Sequence, residues 1–313
     1  MARPTCWPYP FVLGGSASSA KRVRVDARAG GRSWPILEDR LGSGGCTLGE
    51  DVTGAEARGR APVLALIGDR YHNVDYIRVH FDRLFSGLGI DYDYTANYEW
   101  FSGRETTADL LARRRLFCVF RDGLVFPGGY IGPEAYSHYI KNLIDDPPES
   151  PAQTWVSDGF GEAVEQFVQQ GGALFAWHNS LSVSQFSPAY RRVSGGAYDG
   201  HPPERNWVVH VARTDHPLTQ GVRDFVVTDE QHFPVFDGAE GDVLLRGVNR
   251  DGLRFTSDSG ATRDGVESVV AWARPYGAGR VVTSTIGHNL AALWQPEYLV
   301  FQANAIRWLL DMR

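Results

Sequence analysis

The chain has 313 residues, 43% of them hydrophobic and 12% aromatic, enough apolar mass to bury a sizeable core in one large domain or two small ones. A formal charge of -6 argues against nucleic acid as a partner, since phosphate-backbone binding shows as a basic face or a basic total. Cys6, Cys46 and Cys118 offer neither full pairing nor a Cys-x-x-Cys spacing, and no apolar run reaches the ~20 residues of a membrane span or the pattern of a secretory leader, so a cytoplasmic protein without a membrane partner is expected.

Residues 1–60 are rich in Gly, Ser, Arg and Pro and carry no sustained apolar period. They are expected to be a disordered extension ahead of one α/β domain spanning 61–313. Val63 to Ile67 then forms a short apolar run with the character of a strand buried on both faces, ending at Gly68-Asp69. Asn73 caps a helix whose apolar positions, Tyr76, Val79, His80 and Leu84, recur at helical spacing until Gly87-Leu88-Gly89. Ile90 to Tyr94 reads as the next strand, Thr107 opens a short helix, and Leu116 to Phe120 is a further apolar strand. Residues 130–157, with Pro133, Pro147, Pro148 and Pro151, look like an irregular surface excursion. Asp158 to Gln170 is an amphipathic helix closed by Gly171-Gly172, followed by the strand Ala173 to Trp177. Alternating strands and helices imply parallel pairing with helices on both faces. Beyond Gly195 the pattern is β-rich, with strands over Trp207–Ala212, Phe225–Thr228, Val243–Val248, Ser268–Ala273 and Arg280–Thr285, and a last helix over Pro296–Leu310. A mainly parallel, flavodoxin-like sheet with a β-rich C-terminal half is predicted.

Open α/β sheets bind ligands where loops leave the carboxyl ends of their strands. Three such places carry histidine: Tyr71-His72, His178-Asn179-Ser180 and His288-Asn289. The passage from Ala173-Leu174-Phe175-Ala176-Trp177 into His178 has the strand, sharp turn and helix of a nucleophile elbow. A cysteine or serine nucleophile is absent from the turn position itself, and Cys118 falls inside a strand, which argues against an amidotransferase reaction. Asp229-Glu230 ends a strand, where neighbours point apart, so one of the two enters a pocket; Glu230 is the choice. His216, in Asp215-His216-Pro217-Leu218-Thr219, reads as a structural turn. His80 reads as a core residue, and His138, His210 and His232 show no partner spacing. Gly277 and Gly279 read as a hairpin turn rather than a phosphate loop.

Six short motifs in order carry a resemblance. They are Gly171-Gly172 through His178, Gly195-Gly196 through His201-Pro202, Asp215-His216-Pro217 through Gly221, Asp229-Glu230, Tyr276-Gly277-Ala278-Gly279-Arg280-Val281, and Gly287-His288. From about Ala61 to Arg313 the chain resembles the trehalose-utilisation ThuA-like family, a branch of the class I glutamine amidotransferase-like fold that lacks the amidotransferase nucleophile. It departs from the family at Gln231-His232, where an aromatic residue such as Tyr is frequent. The resemblance implies a role in carbohydrate metabolism, with a small-molecule carbohydrate as partner, action on 3-keto sugars, and a functional link to a sugar dehydrogenase.

Together these observations favour an enzyme, a sugar or keto-sugar hydrolase or isomerase. His178, His288 and Glu230 would be its catalytic residues, working by proton transfer. His72, Trp177, Asn179, His201, Asp229 and Trp294 would bind substrate. No cofactor is required by the sequence, while His72, His178, His201 and His288 could together hold a divalent metal. The alternatives are a non-catalytic sugar-binding or accessory protein and a metal-dependent hydrolase. A homo-oligomer stays open.

Overall fold

A computed structural model describes residues 61–127, 152–249 and 251–312, apart from 252, 254, 258, 261 and 264–266. The extension expected over 1–60, most of the excursion over 130–157, and His138 lie outside these residues.

Nine strands form the main sheet: β1 (Val63–Ile67), β2 (Tyr92–Thr95), β3 (Leu116–Phe120), β4 (Ala173–Trp177), β5 (Arg205–Val211), β6 (Phe225–Asp229), β7 (Val243–Val248), β8 (Glu267–Tyr276) and β9 (Gly279–Ser284). Their spatial order is β2-β1-β3-β4-β9-β8-β7-β5-β6. β1, β3 and β4 are buried along their whole length, which is why their sequences run apolar without alternation.

Two helical layers account for that burial. Alternate residues Val63, Ala65 and Ile67 face α1 (Val74–Leu88) and α5 (Pro296–Leu309), meeting Ile77, Phe81, Phe301 and Ile306. The intervening Leu64 and Leu66 share the opposite core with Phe160, Val164 and Val168 of α3 (Asp158–Gln169) and Tyr190 and Val193 of α4 (Pro188–Ser194). Asn73 caps α1 by accepting from the Asp75 N–H, and Gly89 closes it in the left-handed conformation. A further short helix, α2 (Arg104–Leu111), packs Leu111 into the α3 side.

The sheet is a mixed one. The four pairings from β2 across to β9 are parallel and the four from β9 to β6 antiparallel, so the expectation of a mainly parallel sheet is corrected. Chain direction flips at the two-residue Gly277-Ala278 loop joining β8 to β9, where Gly277 takes a φ of 59°. Such a tight hairpin makes neighbours antiparallel, whereas parallel strands need a long crossover.

His80 sits at zero exposure on the inner face of α1, beside Gln302. Burial pushes its pKa down to about 3 from the ordinary 6.5. The unfolded chain therefore takes up this proton at a higher pH than the folded one, and stability falls as pH drops below 6.5. His80→Leu is expected to remove about 1.4 kcal/mol of acid destabilisation per pH unit between about pH 6 and pH 4. Urea midpoints across that range measure it, and equal pH slopes in the two proteins would contradict it.

Candidate metal centre

The carboxyl ends of β1, β4 and β9, together with the end of β6, bring four loops to one edge of the sheet. After β1, Gly68 turns the chain at a φ of 80°, and the Asp69 carboxylate accepts the N–H groups of Tyr71 and His72 at 2.8 and 2.9 Å. That local turn fixes His72 just ahead of α1. After β4, His178 itself takes a φ of 44°, a left-handed backbone that costs a β-carbon residue about 1–2 kcal/mol. Strain of this sort at a strand end marks a position held for its side chain. After β9, Gly287 passes so close to His178 that a β-carbon would lie 2.9 Å from the His178 Cβ and from the Phe120 ring; only glycine fits. Asp229, the last residue of β6, receives the Gly287 and His288 N–H groups at 2.7 and 3.0 Å, tying the fourth loop to the third.

His72, His178, His288 and Glu230 converge, with one ligand-type atom of each within 4.8 Å of the others. Glu230 Oε2 lies 3.1 Å from His288 Nδ1 and 3.6 Å from His178 Nε2. The far sides of two rings are anchored: His72 Nδ1 stands 3.0 Å from Asp69 Oδ1, and His178 Nδ1 donates to the Thr285 carbonyl at 2.6 Å. Asp69 is itself held by the Asp122 N–H at 2.9 Å and by the Asn179 side-chain amide. With Nδ1 carrying the proton, each ring turns an unprotonated Nε2 inward. His72 Nε2, His178 Nε2 and His288 Nδ1 are buried and lack a hydrogen-bond partner among the described residues.

Charge follows the same pattern. Burial pushes His178 down to about 4 against the pull of Glu230, and pushes His232 well below its ordinary value. Burial resists ionisation of Glu230, but the imidazoles of His178, His232 and His288 beside it outweigh that and hold the carboxyl far below its usual range. For His178, His232 and Glu230 these are the directions that favour ligating a cation, a neutral imidazole or a carboxylate anion.

The residues singled out from sequence divide. His72, His178, His288 and Glu230 share the cluster. His201 joins from the other side, its Nε2 3.4 Å from Glu230 Oε2. Asn179 is buried and serves Asp69, so it supports the cluster rather than facing a ligand. Trp177, a substrate-binding candidate from sequence, sits in the core. It has zero exposure, and its ring stacks on Phe175 at 3.4 Å between centroids, because positions two apart on a strand share a face and Phe175 already points into the core. Asp229, another of those candidates, has its carboxylate fully buried beneath Gly287 and His288. Trp294 packs against the α1 and α5 core with the Arg83 guanidinium 4.6 Å over its ring, and no contact links it to the cluster among the described residues. His216 accepts the Leu218 N–H at 3.2 Å, a local turn bond.

Two participants had not been singled out. His232 places Nε2 3.4 Å from Glu230 Oε2; the signal was its spacing, two residues past Glu230, which on extended backbone shares a face. Asp69 had only its place at a strand end to recommend it. Cys118 is fully buried and its thiol pushed up by that burial, so it offers no nucleophile. A cleft of about 600 Å³, lined in part by Arg113, Arg115 and Arg280, opens at the opposite, amino edge. It holds no histidine, and Arg115 and Arg280 there are bonded to the Leu310 and Trp308 carbonyls. No helix among the described residues is long and apolar enough to cross a membrane.

The family model described as trehalose utilisation, ThuA, matches residues 150–309, just over half of the chain. Among solved structures, a putative ThuA-like protein from Parabacteroides merdae aligns with a TM-score of 0.55 at 15% identity, covering 80% of this chain and 90% of that one. A second, from Bacteroides uniformis, gives 0.54 at 14%, covering 79% and 89%. Both likenesses concern the fold. A comparison with curated proteins gives no match. The motifs, the matched segment and the sheet that carries them lead to one conclusion: the chain belongs to the ThuA, trehalose-utilisation family.

Proposed function

We propose that this chain is a metal-dependent enzyme of carbohydrate utilisation that acts on a sugar or keto-sugar at the His72, His178, His288 and Glu230 cluster. The observation that carries this reading is the anchoring of the rings. Asp69 behind His72 and the Thr285 carbonyl behind His178 are the outer partners that orient imidazole ligands and fix their tautomers. Three histidines and one carboxylate form a nitrogen and oxygen donor set suited to zinc and neighbouring divalent ions.

When bound, such an ion supplies a Lewis acid that polarises a carbonyl or hydroxyl oxygen of the sugar. The chain's own contribution is placement. His72 and His178 are sealed from solvent, while the side chains of Glu230, His201 and His288 keep 14%, 27% and 29% of their exposure, so substrate approaches over these three. The amidotransferase-like layout of the parallel half belongs to the same proposal, with His178 standing at the turn where that fold carries its nucleophile. A cytoplasmic setting and a sugar dehydrogenase that supplies keto-sugar complete it.

One feature favours a second, metal-free reading in which the histidines transfer protons directly. Contact with Glu230 raises His288 above its ordinary value, which suits a general acid. The two readings part on Asp69→Asn. An amide behind His72 weakens the ring as a ligand, and metal affinity is expected to fall by roughly 10- to 100-fold, with turnover recovering as divalent ion is added. Titration of metal-free protein with Zn²⁺, read by calorimetry and by NMR turnover of a 3-keto-disaccharide panel, checks it. Unchanged turnover in metal-free protein would remove the metal reading.

A further inference from the structure

Oε2 of Glu230 faces nitrogens of four imidazoles, those of His178, His201, His232 and His288, at 3.1–3.6 Å. Beyond the cluster already described, His201, His232 and the same Glu230 form a second set whose ligand-type atoms lie within 4.8 Å of one another. The only residue common to both sets is Glu230. His201 and His232 stack at 5.0 Å between ring centroids, and His232 stacks on His178 at 4.3 Å, so the two sets adjoin.

The second set repeats the construction of the first. His201 Nδ1 donates to the Pro202 carbonyl at 2.9 Å, so the neutral tautomer that makes this bond aims its Nε2 lone pair at the Glu230 carboxylate, 3.4 Å away. A lone pair aimed at an anion is repulsive until a cation stands between them. His232 is buried, holds its Nε2 3.4 Å from the same oxygen, and has no hydrogen-bond partner for Nδ1 among the described residues. Five imidazoles exceed what one ion with an open coordination position takes from a protein, usually three ligands. The oxygen they share, Oε2, carries two lone pairs and can serve two ions at once. Paired catalytic ions sit about 3.5–4 Å apart, a separation a single bridging carboxylate spans.

We propose that Glu230 bridges two divalent cations, one held by His72, His178 and His288 and the other by His201 and His232. This rests on the metal reading given above and extends it. A paired centre would hold two neighbouring oxygens of a substrate, the arrangement of a hydroxy-ketone or a vicinal diol on a sugar ring, where one ion engages a single oxygen.

The test is metal stoichiometry in the full-length chain, with no reliance on activity. Metal-free protein is titrated with Zn²⁺ and the bound ion counted by elemental analysis after desalting. Wild type is expected to hold two ions per chain. His201→Ala and the milder His201→Gln, at a partly exposed position, are expected to hold one, with unchanged circular dichroism and melting temperature in the metal-free state. Loading with Mn²⁺ should give wild type an exchange-coupled paramagnetic resonance spectrum and His201→Ala an uncoupled one. A single ion in both wild type and the His201 variants would overturn the bridged pair and leave the one-ion reading standing. No bound ion in wild type would overturn both.

Discussion

Glu230→Gln is expected to lower divalent-ion affinity by more than roughly 100-fold, beyond the loss usual for outer partners of a ligand, and to take sugar turnover down with it. Glu230 is the one carboxylate in either set of ligand-type residues among those described, and its oxygen stands 3.1–3.6 Å from nitrogens of His178, His201, His232 and His288. Glutamine keeps the volume and removes the charge that balances a cation among neutral imidazoles. Calorimetric Zn²⁺ titration with NMR-monitored turnover reads both quantities. His210→Ala is the control, since its pair with Asp224 is exposed and such pairs contribute at most about 1 kcal/mol. Equal affinity and turnover in Glu230→Gln and wild type would remove Glu230 from the chemistry.

Asp229→Ala is expected to give the largest loss of stability at the site, about 2–6 kcal/mol, because two buried N–H groups, those of Gly287 and His288, lose their acceptor at about 1–3 kcal/mol each. The same change frees the loop that positions His288, so metal affinity should fall as well. Asp229→Asn keeps one acceptor oxygen but turns an amide N–H toward the second backbone donor, and about half the loss is expected. Denaturant melts of wild type and both variants measure the series. A stability within ~0.5 kcal/mol of wild type for Asp229→Ala would show that the loop is held by something else.

These two neighbours also show what a sequence can and cannot convey. Adjacent residues on a strand point apart, which is enough to separate a pocket-facing Glu230 from a buried Asp229, but not to say what the buried carboxylate holds. The Gly287 and His288 amides arrive from a loop about sixty positions away. The period of two places Trp177 with Phe175 in the core, a constraint that outweighs its proximity to His178. It also places His232 with Glu230, a spacing that the reading of His232 as partnerless passed over. The buried strands β1, β3 and β4 were readable because burial on both faces leaves a continuous apolar run. The direction of β5 through β7 was not, since antiparallel and parallel strands draw on the same residues, and only β8 and β9 were marked as antiparallel neighbours, by the hairpin at Gly277. Asp69 was hidden for a related reason: its role comes from a turn that folds it back under His72 and from contacts with Asp122 and Asn179, each contributed by a different strand end.

The most direct test of the account is the metal content and turnover of the full-length chain purified without added chelator. The account predicts stoichiometric divalent ion, turnover of a sugar or keto-sugar that disappears on chelation, and recovery on restoring the ion. Full turnover from protein shown by elemental analysis to be metal-free would contradict it.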